Sequence, residues 1–277
     1  MYSIQKPSRS EFIPIRHLRY HVLQWGTPSP DKTPLVMVHG WMDVAASFQF
    51  VIDALKNDHW VIAPDWRGYG LTDTPNTDNF FFPDYLADLD QLLDHYVDER
   101  QINLLGHSMG GGIVFAYGVE HPDDYKLMVL SGPAVDARSQ VSTALAITAK
   151  LLGSIAPGLQ VQELPADAVS RDPEVVTAYI ADPLVHHGKV PAGVGKALIG
   201  IGETMPQRAA SITAPLLVVH GEKDSLIPVE GSRKLVECVG SSDVALKVYP
   251  GLYHEVFNEP ERAVVLDDVV SWIEVRL

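Results

Sequence analysis

Gly106-His107-Ser108-Met109-Gly110 spells G-x-S-x-G, the spacing at which a strand can turn sharply into a helix on an exposed serine. The context fits. Ile102–Leu105 is apolar and β-rich, and Gly111–Val119 is a small-residue, helix-compatible run. The flanking glycines leave room, because a Cβ there would meet the neighbouring strand or helix. A serine hydroxyl is a poor nucleophile without a base, and the base needs an orienting carboxylate. Both are expected later in the chain, acid before histidine, each just past a strand.

The acid expected is Asp224, in the turn after Leu216–His220. Glu222, two residues earlier, reads as a solvated turn carboxylate. The base expected is His254, which follows the run Ala245–Tyr249 and the turn Pro250-Gly251. The chain has 11 histidines, so order and context must choose among them. His121 and the pair His186-His187 stand in turn-like positions. His107 is too close to Ser108 in the chain to serve it, and His39 reads as a brace for its loop. Two backbone N–H groups must meet a developing oxyanion. Met109, after the serine, is one. Trp41, in the loop His39-Gly40-Trp41-Met42-Asp43, is the other. Arg67, in DWRGYG, reads as a structural bridge between loops.

The elements that would position these groups alternate along the chain. Strands are expected at Leu18–Trp25, Leu35–His39, Trp60–Asp65, Ile102–Gly106, Leu127–Ser131, Leu216–His220 and Ala245–Tyr249. Helices are expected at Ser47–Lys56, Asp84–Tyr96, Gly110–Glu120, Gly231–Val239 and Glu261–Arg276. Strands as apolar as LVMVH and LLVVH are buried on both faces, which implies an α/β fold with a mostly parallel, doubly covered sheet. The alternation stops between about Ala134 and Ser211, where no strand is expected. The segment begins after one sheet strand and ends before the next, so it would lie over the carboxyl edge of the sheet. The expected division is a core of residues 1–133 and 211–277 with an inserted helical cap, 134–210. Its apolar run Val141–Leu152 is first a packed cap helix and second a face for a membrane or lipid droplet.

Composition removes other classes. The 277 residues hold 21 Lys+Arg against 35 Asp+Glu, a net charge of −14, with no basic cluster to bind nucleic acid. One cysteine, Cys238, excludes an internal disulfide and a cysteine-based metal site. No cofactor or metal is expected. The N-terminus has no apolar signal region and no long apolar span occurs, so the default expectation is a cytoplasmic protein. Oligomeric state is not legible.

The motifs HGWMD, DWRGYG, GHSMGG, HGEKDSLIP and YPGLYHEVFNEP, in this order, resemble the α/β-hydrolase superfamily across essentially the whole chain. From about Leu105 onward the chain looks like a bacterial monoacylglycerol lipase. The resemblance implies the triad Ser108, Asp224 and His254, no cofactor, and short-headgroup acylglycerols as substrates. Substrate contacts are expected from Gly40, Met42, Asp43, Tyr179 and Phe257. Residues 1–104 look like a different serine-hydrolase branch. Where those lipases carry HGxGEHxxRY, this chain reads HGWMDVAASF, with Asp43 at the Glu position and Ser47 at the Arg position. A chain joined near the elbow, or a designed one, is therefore also an expectation. Three alternatives to ester hydrolysis stay open: C–C bond hydrolysis, perhydrolysis, or a binding protein that keeps the fold without turnover. Epoxide and haloalkane hydrolysis are disfavoured, because they need a carboxylate where Ser108 stands.

Overall fold

A run such as Leu35–Val38 offers no solvent face. In the computed structural model, which describes residues 2–29, 32–75, 81–97, 101–138 and 141–277, it is a strand buried at every position. The sheet strands are β1 (Arg9–Ile15), β2 (Leu18–Trp25), β3 (Leu35–Val38), β4 (Val61–Pro64), β5 (Ile102–His107), β6 (Tyr125–Ser131), β9 (Leu216–Gly221) and β10 (Val244–Tyr249). Two short strands, β7 (Gln160–Gln162) and β8 (Val190–Pro191), pair apart from it. The eight strands lie in the order β1-β2-β4-β3-β5-β6-β9-β10. β1 pairs antiparallel with β2, and β2 antiparallel with β4. From β4 to β10 every neighbouring pair is parallel.

Successive side chains of a strand point to opposite faces, and here the two faces have separate cores. Val36, Val38, Leu104, Met128 and Leu130 pack with α2 (Phe82–Tyr96) and α3 (Met109–Glu120). Their strand neighbours Leu35, Met37, Leu105, Leu127 and Val129 pack with α1 (Gln49–Ala54) and α8 (Arg262–Glu274). This is the α/β-hydrolase architecture, an eight-stranded, mostly parallel sheet covered on both sides. α7 (Glu230–Cys238) adds Leu235 to the first core, and Cys238 packs against its edge.

Between β6 and β9 lie α4 (Thr143–Ile155), α5 (Pro173–Ala181), α6 (Ala192–Arg208) and the β7–β8 pair. The two short strands correct the expectation of none in this segment. They have three and two residues, too few to show an alternating pattern. α6 lacks a sequence signal for a different reason. It contains Gly193, Gly195, Gly200, Gly202 and Pro206, residues that weaken a helix in isolation. Packing supplies the stability: a Cβ on Gly153 of α4 would lie 2.6 Å from the Ala192 carbonyl of α6. β1 is equally silent in sequence, because most of its residues face solvent at the sheet edge. α4 is only partly the packed helix expected. Ala146 and Gly153 are buried, but Leu145, Ile147, Leu151 and Ile155 are exposed.

Arg67, just past β4, is 2% exposed and is held by α2. Its Nε donates to Asp88 Oδ2 at 2.6 Å, and its Nη1 lies 3.1 Å from Asp84. The Tyr20 hydroxyl also donates to Asp88. Removing one partner of a buried pair strands the other charge. Asp88→Ala is therefore expected to cost ~3–5 kcal/mol in urea unfolding. An apolar double replacement, Arg67→Met with Asp88→Leu, should recover most of it. An Asp88→Ala variant as stable as the parent would contradict this reading of the pair.

Candidate active site

Ser108 joins β5 to α3 with φ 54° and ψ −121°, a left-handed conformation that costs a non-glycine residue about 1–3 kcal/mol. The surroundings enforce it. Ser108 N–H donates to the Ser131 carbonyl of β6 at 2.9 Å. A Cβ on Gly110 would lie 2.2 Å from the Val38 carbonyl, and one on Gly106 would lie 2.6 Å from the Gly110 carbonyl. The two glycines thus let the α3 start press against β3 and β5. The loop after β3 comes equally near: a Cβ on Gly40 would be 2.9 Å from Ser108 Cβ. Met109 is the first residue of α3, so its N–H has no partner within the helix.

Asp224 stands in the turn after β9, buried, while Glu222 is exposed and bonds the Gly251 N–H. Asp224 Oδ1 accepts the N–H groups of Leu226 and Ile227, each at 2.9 Å. Its Oδ2 faces His254 Nδ1 at 2.6 Å and His220 Nε2 at 3.1 Å. Burial alone would push this carboxyl up. His254 beside it, with donors from His220, His254 and Ile227, outweighs burial and holds it well below the usual carboxylate range. An ionised Asp224 fixes the proton of His254 on Nδ1 and leaves Nε2 as an acceptor.

Ser108 and His254 line one cavity of about 710 Å³. Gly40, Trp41, Asp43, Met109 and Tyr179 line it too, as the sequence suggested. Met42 and Phe257 do not. Met42 is buried where the loop turns through a φ of 66°, and Phe257 is buried in the core beside α8. His39 braces its loop as expected: Trp66 N–H donates to its Nε2 at 2.9 Å, so Nδ1 donates to the Gly40 carbonyl at 2.8 Å. Most of the remaining cavity wall is apolar and comes from the segment between β6 and β9, including Leu145, Leu152, Val161 and Leu198.

Beside His254 the wall is polar in a way the sequence reading missed. His107 packs its ring 4.8 Å from that of His254. Its Nδ1 meets Ser131 Oγ at 3.1 Å, and its Nε2 meets Glu255 Oε1 at 2.7 Å. Burial opposes charge on both partners, but each outweighs that on the other: His107 is raised, and Glu255 falls to about 2. Asp43, buried and facing the Glu255 charge, is pushed well above the carboxylate range, although Ser47 Oγ donates to it at 2.7 Å. Nothing in the spacing connects Glu255 with His107. The fold alone brings them together. His107, His254 and Glu255 place ligand atoms within 4.8 Å of one another, but His107 and Glu255 are already paired with each other.

Comparison with known proteins gives the family. The profile of the family described as serine aminopeptidase, S33 matches residues 29–261, a span that crosses the point near residue 104 where the two sequence looks meet. A monoacylglycerol lipase of Mycolicibacterium smegmatis is 54% identical over 258 residues, covering 90% of this chain and 91% of that protein. A monoglyceride lipase of Mus musculus is 30% identical over 268 residues, covering 94% and 88%. The crystal structure of Paleococcus ferrophilus monoacylglycerol lipase matches with a TM-score of 0.83 at 29% identity, covering 93% of this chain and 99% of that one. The chain belongs to the serine aminopeptidase S33 family of α/β-hydrolase serine hydrolases and is a carboxylic ester hydrolase.

Proposed function

We propose that the protein hydrolyses monoacylglycerols and related acyl esters through an acyl-enzyme on Ser108. The observation that carries this is His254, held by Asp224 at 2.6 Å and lining one cavity with a serine at a left-handed elbow. His254 Nε2 takes the Ser108 proton as Oγ attacks the ester carbonyl, and returns it to the departing alcohol. The N–H groups of Met109 and Trp41 meet the oxyanion. Water then repeats the sequence on the acyl-enzyme. The polar wall of Asp43, His107, Tyr179 and Glu255 adjoins His254, the side on which the alcohol leaves. The apolar wall of residues 134–210, acting as a cap, takes the acyl chain. The test is a hydrolysis profile over p-nitrophenyl esters of rising length, run beside a 1-monoacylglycerol. Turnover confined to non-ester substrates would refute the reading.

The same reading makes a lipid surface the partner of the cap. Half of the exposed large apolar side chains among the described residues lie between Leu145 and Leu184. Leu145 and Val161 are both exposed and on the cavity wall, so an acyl chain could pass from lipid to cavity along apolar surface. No helix among the described residues is long and apolar enough to cross a membrane, which leaves docking on the surface. Ile147→Glu with Ile155→Glu, both off the cavity wall, is expected to abolish co-sedimentation with phosphatidylcholine vesicles. Hydrolysis of a short soluble ester should be unchanged. Undiminished vesicle binding by that variant would exclude this face.

A further inference from the structure

Asp224 carries a second histidine. His220 is the penultimate residue of β9 and fully buried, and its Nε2 lies 2.7 Å from the Ile227 carbonyl and 3.1 Å from Asp224 Oδ2. A carbonyl can only accept, so Nε2 bears the proton and Nδ1 is the acceptor. Ser232 Oγ of α7, itself fully buried and 2.7 Å from Nδ1, must then be its donor. The donor directions along the chain are thereby fixed. Ser232 donates to His220, the single His220 Nε2–H is shared between the Ile227 carbonyl and Asp224 Oδ2, and His254 donates to that same Oδ2. Water cannot replace any of these bonds at such burial.

We infer that His220 is a positioning residue for ester hydrolysis: it holds Asp224 Oδ2 against His254 and draws part of the carboxylate charge onto a second donor. The inference rests on the triad reading above. Oδ1 is already fixed by two backbone N–H groups, so His220 is the side-chain restraint on the oxygen that orients the base. Without it Oδ2 is less restrained and has one donor fewer, so its charge acts more strongly on His254. A more strongly attracted His254 keeps its proton to higher pH and, while protonated, cannot accept the proton of Ser108. The other ionisable groups facing His254 are His107 and Glu255, with Asp43 behind them. None of these is altered by changes at residue 220.

The test uses the purified full chain, a soluble p-nitrophenyl ester, and the variants His220→Leu and His220→Gln. His220→Leu is expected to lower kcat ~10–100-fold through misplacement of the base, with little change in KM. It should also move the acid limb of the kcat/KM profile to higher pH. Gln restores an N–H toward Oδ2 and should bring the limb back. A residue that served only folding would lower activity equally at every pH and leave the limb in place. If His220→Leu does not fold, Ser232→Ala carries the test. That change removes the donor that holds the His220 ring through Nδ1 and should move the limb the same way by less. An unmoved limb in the folded variants overturns the inference. Full activity in Asp224→Asn would instead overturn the triad on which it rests.

Discussion

Ser108→Ala is expected to lower kcat by on the order of 10⁶, the loss seen when a triad nucleophile is removed and only binding and oxyanion contacts remain. KM should change little, because the cavity walls are untouched. Labelling by a fluorophosphonate should vanish with turnover. The control is structural. Alanine has the same backbone preferences as serine at φ 54°, and the elbow is held by Gly106, Gly110 and the Ser131 carbonyl rather than by the hydroxyl. Far-UV dichroism and the unfolding midpoint should therefore match the parent. Turnover that persists in a folded Ser108→Ala protein would place the nucleophile elsewhere.

The second large effect is at Asp224. Asp224→Asn is expected to lower kcat about 10⁴-fold, through the tautomer of His254 and not through loss of the ring. The amide can present N–H where Oδ2 now accepts from His254 Nδ1 at 2.6 Å. Nδ1 would then be the acceptor and Nε2 would hold the proton, unable to take one from Ser108. Two backbone N–H groups on Oδ1 can be met by the Asn carbonyl oxygen, so the turn should keep its shape. Fluorophosphonate labelling should slow in step with kcat. Glu222→Gln provides the comparison: its carboxylate is exposed and bonds only the Gly251 N–H, so activity should stay within twofold. A larger loss at Glu222 than at Asp224 would reverse the choice between the two acids.

The legible parts of the sequence were those governed by local pattern. The central strands read as mostly apolar runs, broken in β5 by Asn103, because both of their faces are covered. Their expected ends fall within two residues of those observed. β1 and α6 left weaker traces. An edge strand that faces water has no apolar alternation to read, and a helix rich in glycine forms through its contacts with α4. His220 had a local trace, four residues before Asp224 and at a strand end, but its importance lies in a hydrogen bond that no spacing reports.

The sequence by itself determined the chain order of the proposed nucleophile, acid and histidine, the strand–turn–helix setting of Ser108, and the preference for Asp224 over Glu222. These follow from backbone geometry within a few residues, which glycine positions and strand patterns encode directly. Only the tertiary structure decided what surrounds them. It moved Met42 and Phe257 off the cavity wall, and it paired His107, at the end of β5, with Glu255 in the loop after β10. It also raised Asp43 by burying it, with the Glu255 charge beside it. Those outcomes depend on distances between groups far apart in the chain. In a buried, low-dielectric site, such distances set which side chains are charged and which face the substrate.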